Sequence, residues 1–387
     1  MRAVYDPFDY AFHSDPYPAY KQLRDEHPVY RVEKWGFWVV SRYDDCLRVL
    51  TDEEHFSSSA GNVIDDPPER VGLTLGTTDR PRHDELQQLV VQAYTPARVR
   101  AVEPRVRQHA RGLLAAFPQH GAVDVVGGFS APLTARVMGE FVGIPPQDHE
   151  RFRRWREAWV HREHGRMGLT PQGREALREQ VAYMRELVAQ RRATPQDDLV
   201  SAFLAAEANG RRMQEDEIVI TSLTVLGAGY QSINWLLTKM IAVLARYPGE
   251  RRRLVREPRL IGQAIEEALR YDSEAQAFAR VVKKDVVMHG KLLREGERVL
   301  VLLGSGNRDE RRFPNPDVFD IERDTRGHLG FGMGTHYCLG ASLGRLVVRV
   351  AVEEFLARLP EYDVDWSSCD HIHSPTFSGY SRLVVTY

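Results

Sequence analysis

Cys338 sits inside the run Phe331-Gly332-Met333-Gly334-Thr335-His336-Tyr337-Cys338-Leu339-Gly340, directly ahead of a helical pattern over residues 341–359. A thiol placed there meets the exposed N–H groups and the positive dipole end of the helix, which favour its thiolate form. Gly332, Gly334 and Gly340 carry no Cβ, so the chain can turn tightly and bring its amides close to the sulfur. A sulfur held that way is suited to ligating a flat metal cofactor, and haem iron is one that takes an axial thiolate. Two plainer explanations stand beside this one. Free cysteine is among the most buried residue types and is ordinarily packing, which is the reading for Cys46 and Cys369. A glycine-rich loop before a helix can also cradle phosphate. Here no Lys-Ser/Thr pair follows the glycines, and their spacing is not that of a dinucleotide fingerprint.

Two further groups could do chemistry. Glu267 and Arg270 are spaced i, i+3 on a helical pattern ending near Tyr271, so carboxylate and guanidinium share one face. Taken alone, such a pair is ordinarily a surface ion pair of little value. The second group is Gly227-Ala228-Gly229-Tyr230-Gln231-Ser232-Ile233, inside the strongest helical pattern of the chain, residues 216–246. At 1.5 Å per residue such a helix spans on the order of 45 Å and could cross the molecule. Each glycine costs roughly 1 kcal/mol against alanine in a helix interior. Gly227 and Gly229 therefore predict a kink, explained either by close helix packing or by a groove where a small ligand approaches the backbone.

The elements that must position these groups are mostly helical. Helical periodicity dominates residues 84–271, broken at Pro118–Gly121, Pro145-Pro146, Thr194-Pro195 and Pro248-Gly249. Short β-like runs flank it at 29–32, 37–40, 299–303 and the 383–387 tail, and residues 57–78 read as an irregular loop. No repeat or linker divides the chain, so a single domain over 1–387 is expected, of a mainly α (α+β) class. Composition is ordinary globular, with 43% hydrophobic and 27% charged residues. A net charge of −2 gives no global field for nucleic acid or an anionic membrane. The 46 Arg and 6 Lys among the 52 cationic residues read as coding bias of a GC-rich bacterium. Three cysteines in no CxxC pattern, no signal-peptide h-region in residues 1–9 and no apolar run of about 18 residues point to a cytoplasmic protein without a membrane span.

The cysteine loop resembles the haem-binding signature of the cytochrome P-450 family, Phe-Gly-x-Gly-x-His/Arg-x-Cys-x-Gly, at every defined position, and the likeness extends over nearly all of the chain. The resemblance implies the fold of that family, with a long helix crossing the haem and a small β-rich region. It also implies the soluble bacterial type, haem b as cofactor, and Cys338 as axial ligand with Phe331, Gly332 and Gly340 shaping its loop. Arg280, His336 and His83 match the family's contacts to the haem propionates, carboxylates whose burial demands charge-assisted donors. Glu267 and Arg270 match its Glu-x-x-Arg pair, locked by Arg323 in the Pro-rich segment 313–323. Ala228 and Gly229 match the oxygen-binding stretch of the long helix.

The chain departs from the family pattern at three positions. Gln87 stands where many relatives have a propionate-facing Arg, Gln231 where the relay acid belongs, and Ser232 where the Thr belongs. Gln cannot supply a proton, although its amide can orient water. A water chain anchored on Ser232 and Gln231, a substrate group, or a reaction less dependent on proton delivery could each answer that. Substrate contacts are expected from loop 57–78, residues 155–167, Tyr230, Phe278 and Phe377. The implied activity is oxidation, foremost hydroxylation, of a small apolar or aromatic molecule by O2 in secondary-metabolite biosynthesis, with electrons from a separate ferredoxin and ferredoxin reductase. Arg345 and Arg349, with Arg105, Arg107 and Arg111, could dock that acidic partner. Oxidative coupling without oxygen insertion, and a haem-binding sensor or carrier without turnover, are the alternatives.

Overall fold

The computed structural model describes residues 4–387; residues 1–3, where the N-terminal segment read above begins, lie outside the described residues. Helices form the bulk, and the longest, Glu215–Arg246, runs through the interior. Every residue over 233–244 is buried, because helices Ala131–Val142, Pro171–Ala193 and Ala341–Arg358 pack around it. A helix that is apolar on most sides is stable only in such a position. Its start is capped reciprocally, with Glu217 Oε2 accepting from the Gln214 N–H at 2.9 Å. It stops at Arg246 because Pro248 cannot continue it and opens helix Pro248–Arg256 instead.

The long helix is unbroken through Gly227 and Gly229. Protein side chains occupy the space the two glycines free. A Cβ on Gly227 would overlap the guanidinium of Arg156, and one on Gly229 would overlap the thioether of Met138. Close packing is the reason for both.

A five-stranded sheet flanks the helices, in the order Val29–Val32, Phe37–Val40, Arg298–Leu302, Ala277–Val282, Phe56–Ser57. Arg298–Leu302 pairs in parallel with Phe37–Val40, and the other pairings are antiparallel. The two-residue period of strand Ala277–Val282 sends Ala277 and Ala279 into the core and puts Phe278 and Arg280 on the opposite face. The C-terminal run is strand Val384–Thr386, which pairs with Asp363–Val364 and with Ala122–Asp124. Among the described residues no helix is long and apolar enough to cross a membrane.

Candidate functional site

The loop before helix Ala341–Arg358 is closed by the Cys338 N–H donating to Phe331 O at 2.9 Å. Gly332 and Gly334 have φ of +70° and +71°, a region where a Cβ is strained. Gly340 serves differently. Its φ is −78°, and a Cβ there would lie 3.9 Å from Cys338 Sγ, so this glycine keeps the flank of the sulfur clear instead of making a turn. Arg345 clamps the loop from behind, forking onto Glu266 at 2.6 and 2.8 Å and lying 4.4 Å over the Phe331 ring. Burial would raise the Glu266 carboxyl, but hydrogen bonds from Arg345 and His328 outweigh it and hold the group down at about 2.

Cys338 is enclosed by protein mass yet exposed, because its sulfur opens on an internal cavity of about 340 Å³. Burial pushes the thiol up to about 11, against the backbone N–H groups of Gly340 and Ala341. A metal bound to the sulfur would displace that proton outright.

Behind the loop, Glu267 and Arg270 are fully buried and joined by two bonds of 2.7 Å. Arg323 Nε reaches Glu267 Oε1 at 3.2 Å, and the Asp320 N–H donates to the same oxygen at 3.0 Å. Arg270 donates further to the carbonyls of Asn307 and Pro316. The helix end, Asn307 and the segment 313–323 are thus tied together without an unpaired charge.

The cavity wall carries Arg280, His336 and His83. Arg280 is buried, with no carboxylate within salt-bridge distance among the described residues; its guanidinium donates only to Ala279 O, at 2.8 Å. Burial lowers its pKa to about 10, leaving it charged at neutral pH. His336 Nδ1 lies 3.1 Å from Leu75 O, and its ring meets His83 edge-on at 5.0 Å. Burial, with Arg280 and His83 beside it, lowers His336 to about 4, so it is neutral. Gln87 lines the same wall. A buried cation without a carboxylate partner among the described residues, beside two imidazoles of which His83 also reaches Asp84 Oδ1 at 3.1 Å, facing the space in front of a cysteine sulfur, fits the carboxylates of a haem.

Opposite, Ala228, Gly229, Gln231 and Ser232 of the long helix line the same cavity. Ser232 Oγ has no hydrogen-bond partner among the described residues. Gln231 is held at both ends of its amide: its Oε1 accepts from Arg156 Nη2 at 2.8 Å and its Nε2 donates to Arg156 O at 3.1 Å. The amide expected to orient water is instead fixed to a neighbouring helix, which leaves Ser232 as the free polar group of that stretch. Phe278 and Phe377 line the cavity. Tyr230 does not; it turns to the far side of the helix, against a separate pocket with Arg153 and Glu157.

Three cavity residues escaped the sequence reading. Arg156 and Arg70 fall inside stretches named only as ranges. Glu274 has no signal of its own: its Oε2 is buried without a partner, and burial pushes its carboxyl up to about 7. The arginines expected to dock a partner are all paired internally. Arg345 holds Glu266, Arg349 holds Glu353 and Glu103, Arg107 holds Glu353 and Glu354, Arg111 holds Glu354, and Arg105 faces Glu140.

Comparison with known proteins bears on the family and the fold. A family model described as cytochrome P450 matches residues 168–360. The mycinamicin IV hydroxylase/epoxidase of Micromonospora griseorubida is 37% identical over 88% of this chain and 87% of its own. The cyclomarin C epoxidase CymV of Salinispora arenicola is 34% identical over 95% and 94%. Among solved structures, the bacillaene polyketide synthase cytochrome P-450 PksS of Bacillus subtilis 168 superposes with a TM-score of 0.90 at 30% identity, covering 99% of both chains.

Proposed function

This chain belongs to the cytochrome P-450 family, and from that premise we propose that it is a monooxygenase for a small, largely apolar organic molecule in bacterial secondary metabolism. The family has its characteristic fold, carries haem of the iron protoporphyrin IX type, and acts on small molecules with O2 and redox partners. In this reading the haem is haem b, the electrons come singly from a separate ferredoxin with its reductase, and residues 1–387 act as one domain.

The observation that carries the reading is a single cavity with the Cys338 sulfur on one wall and the Ser232 hydroxyl on the opposite helix. Bound haem supplies the reductive activation of dioxygen. The chain supplies everything else. Cys338 would hold the iron through its thiolate; Arg280 would neutralise the haem carboxylates, and His336 and His83 would orient them by hydrogen bonds. Ala228 and Gly229 present a wall without bulk. Ser232 holds and passes the proton that Gln231, fixed on Arg156, cannot provide. Phe278 and Phe377 offer apolar surface to the substrate. Glu267, Arg270 and Arg323 tie the segment 313–323 to the helix that ends at Tyr271. Relatives named as a hydroxylase/epoxidase and an epoxidase support oxygen insertion.

Purified protein is expected to show a thiolate-type spectrum with CO after reduction, and Cys338→Ala is expected to abolish it. Label from 18O2 should then appear in the product. A coupling reaction without oxygen insertion is the second reading, favoured by the neutral Gln231 held on Arg156; substrate turnover with no label in the product would select it.

A further inference from the structure

Three guanidinium groups surround the indole of Trp159: Arg156 at 4.3 Å, Arg70 at 5.7 Å and Arg162 at 5.8 Å from the ring centroid. Two of them have anions of their own. Arg70 holds Asp66 at 2.7 Å and Arg162 holds Asp65 at 2.5 Å, both aspartates being almost fully buried. Arg156 has none. It is only 8% exposed, and no carboxylate lies within salt-bridge distance of it among the described residues. Its one side-chain partner is the neutral amide of Gln231. Nε is buried without a partner.

A buried cation without an anion is costly, because an aromatic face and an amide return only part of its lost hydration. Here the cost is structural by design of the packing: Gly227 gives the guanidinium its seat, since any Cβ at that position would overlap it. Burial and the charge of Arg70 lower Arg156 to about 9, so it remains protonated at neutral pH. The group also lines the cavity that Cys338 opens on, while Leu177, Leu223, Ile233, Leu236, Phe278 and Phe377 make the same wall apolar.

We propose that the substrate is an apolar molecule bearing one carboxylate, and that this carboxylate docks on Arg156, which the neutral residue at 231 leaves without an internal counter-ion. The inference rests on the cavity being the substrate site of the monooxygenase. An acid at position 231 would sit where it could pair with Arg156; glutamine there fixes the guanidinium in place and leaves its charge for the ligand. Arg156 is thus a binding and specificity residue, reached from the helix His149–Val160.

Calorimetric titration of the haem-loaded protein with two acid and ester pairs tests this: decanoate against methyl decanoate, and 4-phenylbutyrate against its methyl ester. Each acid is expected to bind at least tenfold more tightly than its ester. Arg156→Gln should remove that preference while leaving ester affinity in place. Should that variant fail to fold, Gln231→Glu decides the matter, because it gives Arg156 an internal carboxylate and should likewise bring acid and ester to parity. Equal affinities in the wild type, an acid preference that survives Arg156→Gln, or binding of none of the four compounds would each overturn the proposal. Failure of the underlying reading looks different: there the reduced protein gives no thiolate-type CO spectrum at all.

Discussion

The scaffold behind the cysteine loop and the lining of the cavity handle buried charge in opposite ways. Behind the cysteine loop, Glu267 meets Arg270 and Arg323, Glu266 meets Arg345 and His328, and every charge has a partner within the chain. Around the cavity, among the described residues, Arg156 and Arg280 lack carboxylates within salt-bridge distance, Glu274 has an unpartnered oxygen and Ser232 an unbonded hydroxyl. Charge compensated internally marks scaffold, because nothing remains for a ligand to satisfy. Charge left over marks the place where ligands complete the structure.

The largest way to break that contrast is to decompensate the scaffold. Glu267→Gln leaves Arg270 buried with its charge unmatched, and losing one partner of a buried pair costs about 3–5 kcal/mol. Urea unfolding should show a loss of that size, with poor haem loading. A variant as stable as the wild type would show that the backbone carbonyls around Arg270 suffice, and the contrast would dissolve.

The leftover groups should behave in the reverse sense. Glu274 is held above its unfolded value of 4.5, at about 7, by burial. A carboxyl raised in the folded state lends stability in its protonated form, and that stability disappears as pH climbs from about 5 through 7. Stability of the wild type should therefore fall across this window by up to about 3 kcal/mol more than that of Glu274→Gln. Parallel pH profiles would mean that the carboxyl is hydrated and not a leftover charge at all. Arg280→Gln should leave the fold intact and weaken haem retention, a charge-assisted bond to a carboxylate contributing about 1.5–3 kcal/mol. Haem transfer to apomyoglobin measures the difference.

The same contrast explains what could be read without coordinates. The loop at 331–340 is legible because ligating a metal from a tight turn requires glycine at fixed offsets, and Glu267 with Arg270 because i, i+3 spacing is local. The β runs at 29–32, 37–40 and 299–303 showed their character in apolar β-branched residues, whereas Ala122–Asp124 is too short for any period to register. Arg156 was hidden for another reason. It sits among Arg153, Arg154 and Trp155, which reads as a solvated basic face, and its burial depends on a glycine in a different helix. Tyr230 was placed in the cavity by resemblance to the family, yet one step of a helix turns its side chain by about 100° from those of Gly229 and Gln231. Local chemistry is written locally; leftover charge is decided by which helix packs where.

The smallest effect, and the sharpest comparison, comes from the two glycines. Alanine gains roughly 1 kcal/mol of helix propensity over glycine at either site, so packing decides the sign. At Gly229 the new Cβ meets the end of the Met138 side chain, a flexible thioether that can turn aside. Gly229→Ala should change the unfolding midpoint little. At Gly227 it meets a guanidinium pinned by Gln231 and stacked on Trp159, and moving that group breaks both contacts. Gly227→Ala should destabilise by about 1–2 kcal/mol net, an overpacking cost partly offset by the propensity gain. It should also erode the preference for acids over their esters, which Gly229→Ala should keep. Two alanines two residues apart, similar in stability and in ligand preference, would mean that Arg156 moves freely and that its seat over Gly227 has no part in positioning charge.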